Sequence, residues 1–336
     1  PPPPPPFSSR RRHTRYRRSS RGLGDVYKRQ PQAFAAAALY WPDQAAPDLA
    51  TIRQHGQADA PVAAITFYRS LIEGGLTAPV DALITALAAR GLNPLPIFIS
   101  SLKDATSAAC IAETFSAEQP SVILNATGFA VASFDGSDQP NPFTEFDCPV
   151  LQVVFSGTSE EAWRDKAQGL PARDLAMNIV LPELDGRLMT RAVSFKADHE
   201  RHTATQCRIV TYKPVPDRID FVADLARNWS TLRRTPACER RVAIILANYP
   251  NRDGRIGNGV GYDTPASTIS ILEALQDCDY ALDDIPATGN VLIEELQQGP
   301  TNSGANASKT SPAQLPVDHY RSAFAQLPED MQKEIT

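Results

Sequence analysis

Residues 61 to 99 read PVAAITFYRSLIEGGLTAPVDALITALAARGLNPLPIFI, and the fold is decided here. Val62 to Tyr68 is apolar at both parities, the pattern of a strand covered on both faces rather than one. Arg69 to Leu76 reads as a glycine-containing loop, and Thr77 with Pro79 opens a helix that runs to Arg90. Gly91 stops that helix, and Asn93 to Ile99 supplies a second strand. Strand, helix and strand in this order form a βαβ crossover, which is right-handed in nearly all sheets. Further strands are expected at Ser121 to Ala126, Pro149 to Phe155 and Ala176 to Leu181, with helices near Ser107 to Glu118 and Ser159 to Gln168. The fold class is therefore α/β, with a doubly wound parallel sheet of Rossmann-like or flavodoxin-like layering.

Downstream the pattern changes and then returns. In Pro216 to Arg234 the residues Val222, Leu225, Trp229 and Leu232 recur at helical spacing, which predicts a connecting helix with Trp229 as a core anchor. A second α/β unit opens at Arg241 to Ala247 (RVAIILA), passes through a long glycine-rich loop, and enters a helix at Thr264-Pro265 running to about Asp277. Both units lead from a strand beginning Val-Ala, through a glycine-containing loop, to a Thr just before a helical Pro, so two related α/β domains joined by a helical connector are expected. The expected plan is a lead-in at 31–60, a first α/β domain at 61–190, a connector at 191–238, a second unit at 239–298, a linker at 299–318 and the start of a helical region at 319–336.

Composition narrows the class. At 336 residues, 42% apolar and 21% charged, the chain can bury more than one core and is neither collagenous nor disordered overall. Its longest apolar run, Phe34 to Trp41, is far too short to cross a bilayer, so no membrane partner is expected and the protein reads as soluble and cytoplasmic. Cys110, Cys148, Cys207, Cys238 and Cys278 form no C-x-x-C pair and read as reduced thiols. Residues 1–30 hold nine Lys/Arg against one acid, a block of +8 on a body that must sum to −13 for the net charge of −5. The text PPPPPPFSSRRRHTRY…DVYKRQ resembles translated sequencing-adapter DNA more than a nucleic-acid arm, so it is set aside as foreign and no nucleic-acid partner is expected. Both ends read as cut from a longer protein.

The chemistry concentrates in Asn248 to Ser267, NYPNRDGRIGNGVGYDTPAS, between an expected strand and a helix start, where open α/β sheets bind ligands. Arg252 and Arg255 offer planar forks for carboxylates, and Asn248, Asn251 and Asn258 offer amides. The glycines among them let backbone N–H groups approach a ligand. Tyr249, Asp253, Asp263 and Thr264 complete this candidate anion-binding set. A second candidate is Arg69, at the end of the first strand, and a third is Asn125 with Thr127 in Asn125-Ala126-Thr127-Gly128-Phe129. Strand-end polar residues also build turns and caps, so both roles stay open for these three. The P-loop pattern G-x-x-x-x-G-K-[ST] is absent, Gly257 to Gly261 matches G-x-G-x-x-G only in part, and His199-Glu200-Arg201-His202 has the wrong spacing for H-E-x-x-H and reads as surface. No metal site is expected in this chain.

Taken together, Asn248 to Ser267, Phe67-Tyr68-Arg69, Gly91 to Pro96, Ser101-Leu102-Lys103, Asn125 to Phe129, Pro149 to Val153 and Gly299 to Asn302 resemble the large subunits of the cobaltochelatase and magnesium chelatase family. The resemblance runs from about Pro61 to Thr336, with Tyr262 standing where the family usually has Leu. It implies a ligase-type enzyme that inserts Co²⁺, its metal substrate, into the corrin tetrapyrrole hydrogenobyrinic acid a,c-diamide in cobalamin biosynthesis. ATP, with Mg²⁺, would be used by an AAA+ ATPase subunit alongside a second accessory subunit, which accords with the missing P-loop. The alternatives are a magnesium chelatase H-type subunit acting on protoporphyrin, and a non-catalytic α/β ligand-binding module.

Overall fold

The computed structural model describes residues 34–132, 140–248, 255–300, 309 and 314–336, with only the backbone at 198–202 and 208. Two compact units meet in sequence at Thr231 and Leu232. In the first, β1 (Ala37–Leu39) and α1 (Leu49–Gln54) precede β2 (Val62–Tyr68), α2 (Arg69–Glu73), α3 (Ala78–Ala88) and β3 (Asn93–Ile99). Then come α4 (Ala105–Glu118), β4 (Val122–Asn125), β5 (Val150–Ser156), α5 (Glu160–Asp165), α6 (Ala172–Leu175) and α7 (Leu181–Glu183). The long strand β6 (Leu188–His202), β7 (Cys207–Pro214) and α8 (Pro216–Arg234) complete it.

The seven strands form one sheet in the order β1-β3-β2-β4-β5-β6-β7. The five central strands are parallel, while β1 pairs antiparallel with β3, and β7 antiparallel with β6. Read alone, β3-β2-β4-β5-β6 is the flavodoxin strand order, in which the direction of winding reverses between β2 and β4. At that reversal the loops leaving the two strands diverge and open a crevice at their carboxyl ends.

Continuous apolar strands follow from coverage on both faces. Ile65 and Phe67 of β2 join Leu83 and Leu87 of α3 and Ile219, Val222 and Ala226 of α8 in one core. Ala64 of β2 joins Leu95, Ile97 and Ile99 of β3 with Ile111 and Phe115 of α4 in the other. Each fully buried Leu, Ile or Phe contributes about 1.5–3 kcal/mol. At the rim of the first core, the Arg90 Nε and Nη2 donate to both Asp224 oxygens at 2.8 and 3.2 Å, tying the end of α3 to α8. Trp229 packs half-buried against this same core.

Two expected strands are corrected. Ala176 to Leu181 is helical: Ala176–Val180 forms a π-helical turn between α6 and α7. A six-residue run with Asn178 as its one polar member is too short to distinguish the two states, nothing breaks the chain after α6, and the place beside β5 is taken by β6. Arg241 to Ala247 is not a strand either, since a strand needs a ladder along its length and among the described residues the backbone pairing of this segment is the Ala247 carbonyl accepting from the Gly257 N–H at 2.9 Å. Val242 is 57% and Ile245 93% exposed. Three strands are not legible in the sequence, β1, which is only three residues long, and the β6–β7 hairpin, since β6 carries charged residues at Arg191, Lys196, Asp198, Glu200 and Arg201 in place of an apolar run. The second unit contains α9 (Thr264–Asp277), α10 (Gly289–Gln298), α11 (Val317–Ala325) and α12 (Glu329–Ile335). The described cysteines form no disulfide, and no helix among the described residues is long and apolar enough to span a membrane.

Candidate functional site

A polar residue stands near the carboxyl end of β2, at the carboxyl end of β4 and third in β5, and the register brings the three together. Thr66 of β2 is the partner of Asn125 of β4, which is the partner of Gln152 of β5. All three are fully buried. The Thr66 hydroxyl donates to the Asn125 Oδ1 at 2.7 Å, and the Asn125 Nδ2 donates to the Gln152 Oε1 at 2.8 Å. The Thr127 hydroxyl also donates to the Asn125 Oδ1, and the Asn125 Nδ2 also reaches the Thr127 carbonyl. Asn125 thus makes the four hydrogen bonds its amide can make. The geometry leaves it none for a ligand.

The row continues into a buried ion pair. The Arg187 Nη1 donates to the Gln152 Oε1 at 3.2 Å and the Thr127 carbonyl at 3.4 Å, and its Nη2 donates to Asp185. Asp185 in turn accepts from the Val131 and Ala132 backbone N–H groups at 2.9 Å each. Burial pulls the Arg187 guanidinium below its usual range, and the neighbouring Asp185 carboxylate pulls it back up. The loop following β4 is therefore held from beneath at Thr127, Val131 and Ala132.

What that loop presents is a cavity of about 580 Å³ at the switch point, bounded by the ends of β2, β4 and β5, by α6 with the π turn, and by the β6–β7 hairpin. Tyr68 at the end of β2 donates from its hydroxyl to the Gly128 carbonyl at 3.1 Å. Phe129 has φ +64° and is 48% exposed as a residue, with its N–H held by the Met177 carbonyl at 2.7 Å. The left-handed region costs a residue with a Cβ about 1–2 kcal/mol. Gly128 is required at this approach, since a Cβ there would stand 2.9 Å from the Met177 carbonyl oxygen. Asp174 is buried in the wall, accepting from the Ser156 hydroxyl at 2.6 Å and the Gly157 N–H at 3.0 Å. Arg173, Lys196 and Tyr212 line the same cavity. Burial raises the Tyr68 and Tyr212 phenols above their ordinary range.

Of the first-unit candidates, Asn125 and Thr127 are buried beneath the loop and do not line the cavity; their neighbours Ala126, Gly128 and Phe129 do. Arg69 begins α2, pairs through its Nε with the Glu73 Oε1 at 3.2 Å, and is not among the lining residues. Phe129, Arg173, Asp174, Lys196 and Tyr212 carry no motif, and only the Gly-Phe pair after a strand was a visible signal.

The loop of the second unit is built locally. Asn248 bridges Ile256 and Gly259 bridges Tyr262, both antiparallel, so the described part folds back on itself as a narrow ribbon. Arg255, Asn258 and Asp263 line a shallow cleft of about 600 Å³ with Tyr262, which is 79% exposed. Arg255 is exposed, with no ion-pair partner among the described residues. Asp263 is the N-cap of α9, accepting from the Ala266 N–H at 3.0 Å, and Thr264 is its first helical residue. That helix start already holds a carboxylate, and Pro265 has no N–H to offer. Tyr249, Asn251, Arg252 and Asp253 lie outside the described residues, as do the side chains of His199 and His202. Among the described residues no three metal-ligating side chains stand together.

A family model described as CobN/magnesium chelatase matches residues 13–336. Over 277 residues the chain is 47% identical to an aerobic cobaltochelatase subunit CobN from a Sinorhizobium species, covering 82% of this chain and 22% of that one. It is 44% identical over 313 residues to the subunit of the same name from Pseudomonas aeruginosa, covering 93% and 25%. Against the H-type magnesium-chelatase subunit of Rhodobacter capsulatus identity falls to 26% over 302 residues, covering 85% and 24%. The solved catalytic subunit of cobaltochelatase from Mycobacterium tuberculosis superposes with a TM-score of 0.72 at 27% identity, over 90% of this chain and 24% of that one. The chain thus spans about a quarter of the length of these relatives.

Proposed function

The chain belongs to the CobN/magnesium chelatase family, and on that premise we propose that it forms part of the large, substrate-binding subunit of a cytoplasmic, ATP-dependent cobaltochelatase. The observation that carries the choice of cobalt is the identity of 47% and 44% with CobN subunits against 26% with an H-type magnesium-chelatase subunit. Co²⁺ is the metal substrate and hydrogenobyrinic acid a,c-diamide the macrocycle. ATP hydrolysis, with its Mg²⁺, falls to an AAA+ ATPase subunit, and a second accessory subunit completes the complex.

In this reading the Asn248 to Ser267 loop receives the macrocycle's rim. Arg255, exposed and without an ion-pair partner among the described residues, pairs with a peripheral carboxylate, with Arg252 as a second fork. Asn258 donates to an amide or acid, Asn248 and Asn251 add amides, and the exposed Tyr262 offers an apolar face. Asp263 acts by fixing the start of α9. Tetrapyrrole carboxylates are anionic at neutral pH, so these contacts orient the ring without any proton transfer by this loop.

Fluorescence-quench titration with hydrogenobyrinic acid a,c-diamide tests the reading. A charge-assisted contact is worth about 1.5–3 kcal/mol, so Arg252→Ala with Arg255→Ala should weaken binding by about two to four orders of magnitude. Added salt should weaken the wild type more than the double variant, which no longer has the pairs to be screened. Unchanged affinity in the double variant removes the loop from the site. Tighter binding of protoporphyrin than of the corrin precursor would move the assignment to the magnesium branch.

A further inference from the structure

We propose that the switch-point cavity of the first unit is a second, separate binding site, and that it takes a flat conjugated anion stacked against Phe129 and ion-paired to Arg173 and Lys196. The inference does not depend on the loop of the second unit or on which metal the family member inserts.

The first observation is Phe129 itself. A large apolar side chain is left half exposed, in the left-handed region that favours glycine, on a loop fixed by a fully buried polar row. The clamps at Thr127, Phe129, Val131 and Ala132 leave that loop no local route to relax. No core needs this ring, since it belongs to none of the buried clusters. Strain maintained by a buried network clusters where a chain presents a group to a ligand, and here the group presented is an aromatic face.

The second observation is the charge of the wall. Arg173 is exposed and Lys196 lies 5.9 Å from the Tyr212 ring, and neither has an ion-pair partner among the described residues. Asp174, the lining acid, is engaged by the Ser156 hydroxyl and the Gly157 N–H. Two uncommitted cations beside one committed carboxylate leave the cavity positive. Tyr68, Phe155 and Tyr212 add flat apolar walls, and about 580 Å³ is within the usual range for a small-molecule site. The place is the one where open α/β sheets of this strand order bind their ligands. An aromatic face, flat walls and two available cations select a conjugated ring system bearing carboxylate or phosphate.

The test uses the full chain and three probes: coproporphyrin III, a flat tetracarboxylate; flavin mononucleotide, a flat phosphate; and riboflavin, the same ring without the charge. At least one of the two anions should bind in the micromolar range, and which one identifies the source as carboxylate or phosphate. Phe129→Ala and Phe129→Leu should each weaken it about tenfold with thermal unfolding unchanged, and Arg173→Ala with Lys196→Ala by about tenfold or more together with a flatter salt dependence. Arg255→Ala, in the other unit, should leave it unchanged. The proposal is overturned if neither anion binds below millimolar concentration, if riboflavin binds as tightly as the better of the two anions, or if the cavity variants change nothing. Loss on Arg255→Ala alone would likewise overturn it while supporting the loop as the site.

Discussion

Asp185→Ala should be the most damaging single change in the first unit. The Asp185 and Arg187 side chains are 1% and 0% exposed. Removing the carboxylate leaves a buried guanidinium without its counter-charge, and its Nε already has no hydrogen-bond partner. The same deletion strips the acceptor from the Val131 and Ala132 N–H groups. Breaking one side of a buried pair costs about 3–5 kcal/mol, a large share of the ~5–15 kcal/mol that holds a domain folded. Arg187→Met should cost less, about 1–3 kcal/mol, because Asp185 keeps both backbone donors and the thioether fills much of the vacated space. Urea unfolding followed by far-UV circular dichroism reads both, with the slope checked for constancy. Asp185→Asn, which retains an oxygen for the two N–H groups, supplies an intermediate value if the alanine variant fails to accumulate. An Asp185→Ala loss below about 1 kcal/mol, or an Arg187→Met loss larger than it, would refute the assignment of the pair as the clamp beneath the loop.

Gly128→Ala should cost about 1–3 kcal/mol by overpacking, because the new methyl would meet the Met177 backbone carbonyl at 2.9 Å; an unchanged midpoint in urea would show that the Met177 segment moves freely. Burial first, and then the Asp81 carboxylate accepting from its hydroxyl at 2.7 Å, push the Tyr40 phenol up to about 12 from 10.0. Its contribution to stability is therefore present below pH 10 and lost between pH 10 and 12, a phase that Tyr40→Phe should delete from a thermal-shift titration. Ile245→Lys should leave the unfolding midpoint within about 0.5 kcal/mol of wild type while slowing light-scattering growth on heating, since the residue is 93% exposed in an aliphatic run; a larger loss would mean that the segment is packed in solution.

Much of the first unit was legible because burial on both faces leaves a plain signature. Val62–Tyr68 and Asn93–Ile99 fall where the apolar runs lie, and α8 and α9 occupy Pro216–Arg234 and Thr264–Asp277 as their spacing and Thr-Pro start indicate. Legibility failed where a mostly apolar run was too short to show a period, as in Ala176 to Leu181, or where the ladder that makes a strand was absent among the described residues, as in Arg241 to Ala247. The β6–β7 hairpin was invisible for the opposite reason, since β6 from Lys196 to His202 is a largely polar sequence with no apolar run. That omission hid Lys196 and Tyr212, and with them one wall of the cavity. Asn125 and Thr127 were visible as strand-end polar residues, yet only the register with Thr66 and Gln152 shows that their hydrogen bonds point into the protein.

The polar row also explains why a strand-end motif can be diagnostic without touching a ligand. Thr66, Asn125, Gln152 and Arg187 are each costly to bury alone, and each is made acceptable by the next. A row of this kind cannot drift, because a slip of one residue along any strand would turn its polar member into the opposite core. Fixing β2 and β4 near their carboxyl ends against β5 holds Tyr68 at the end of β2 and the loops that carry Phe129 and Gly157 to the cavity. Substitutions at Asn125 or Gln152 should thus alter ligand affinity and stability together, whereas Arg173 and Lys196, which bear none of this weight, should alter affinity alone. The two classes of residue separate the machinery that shapes the crevice from the surface that meets what enters it.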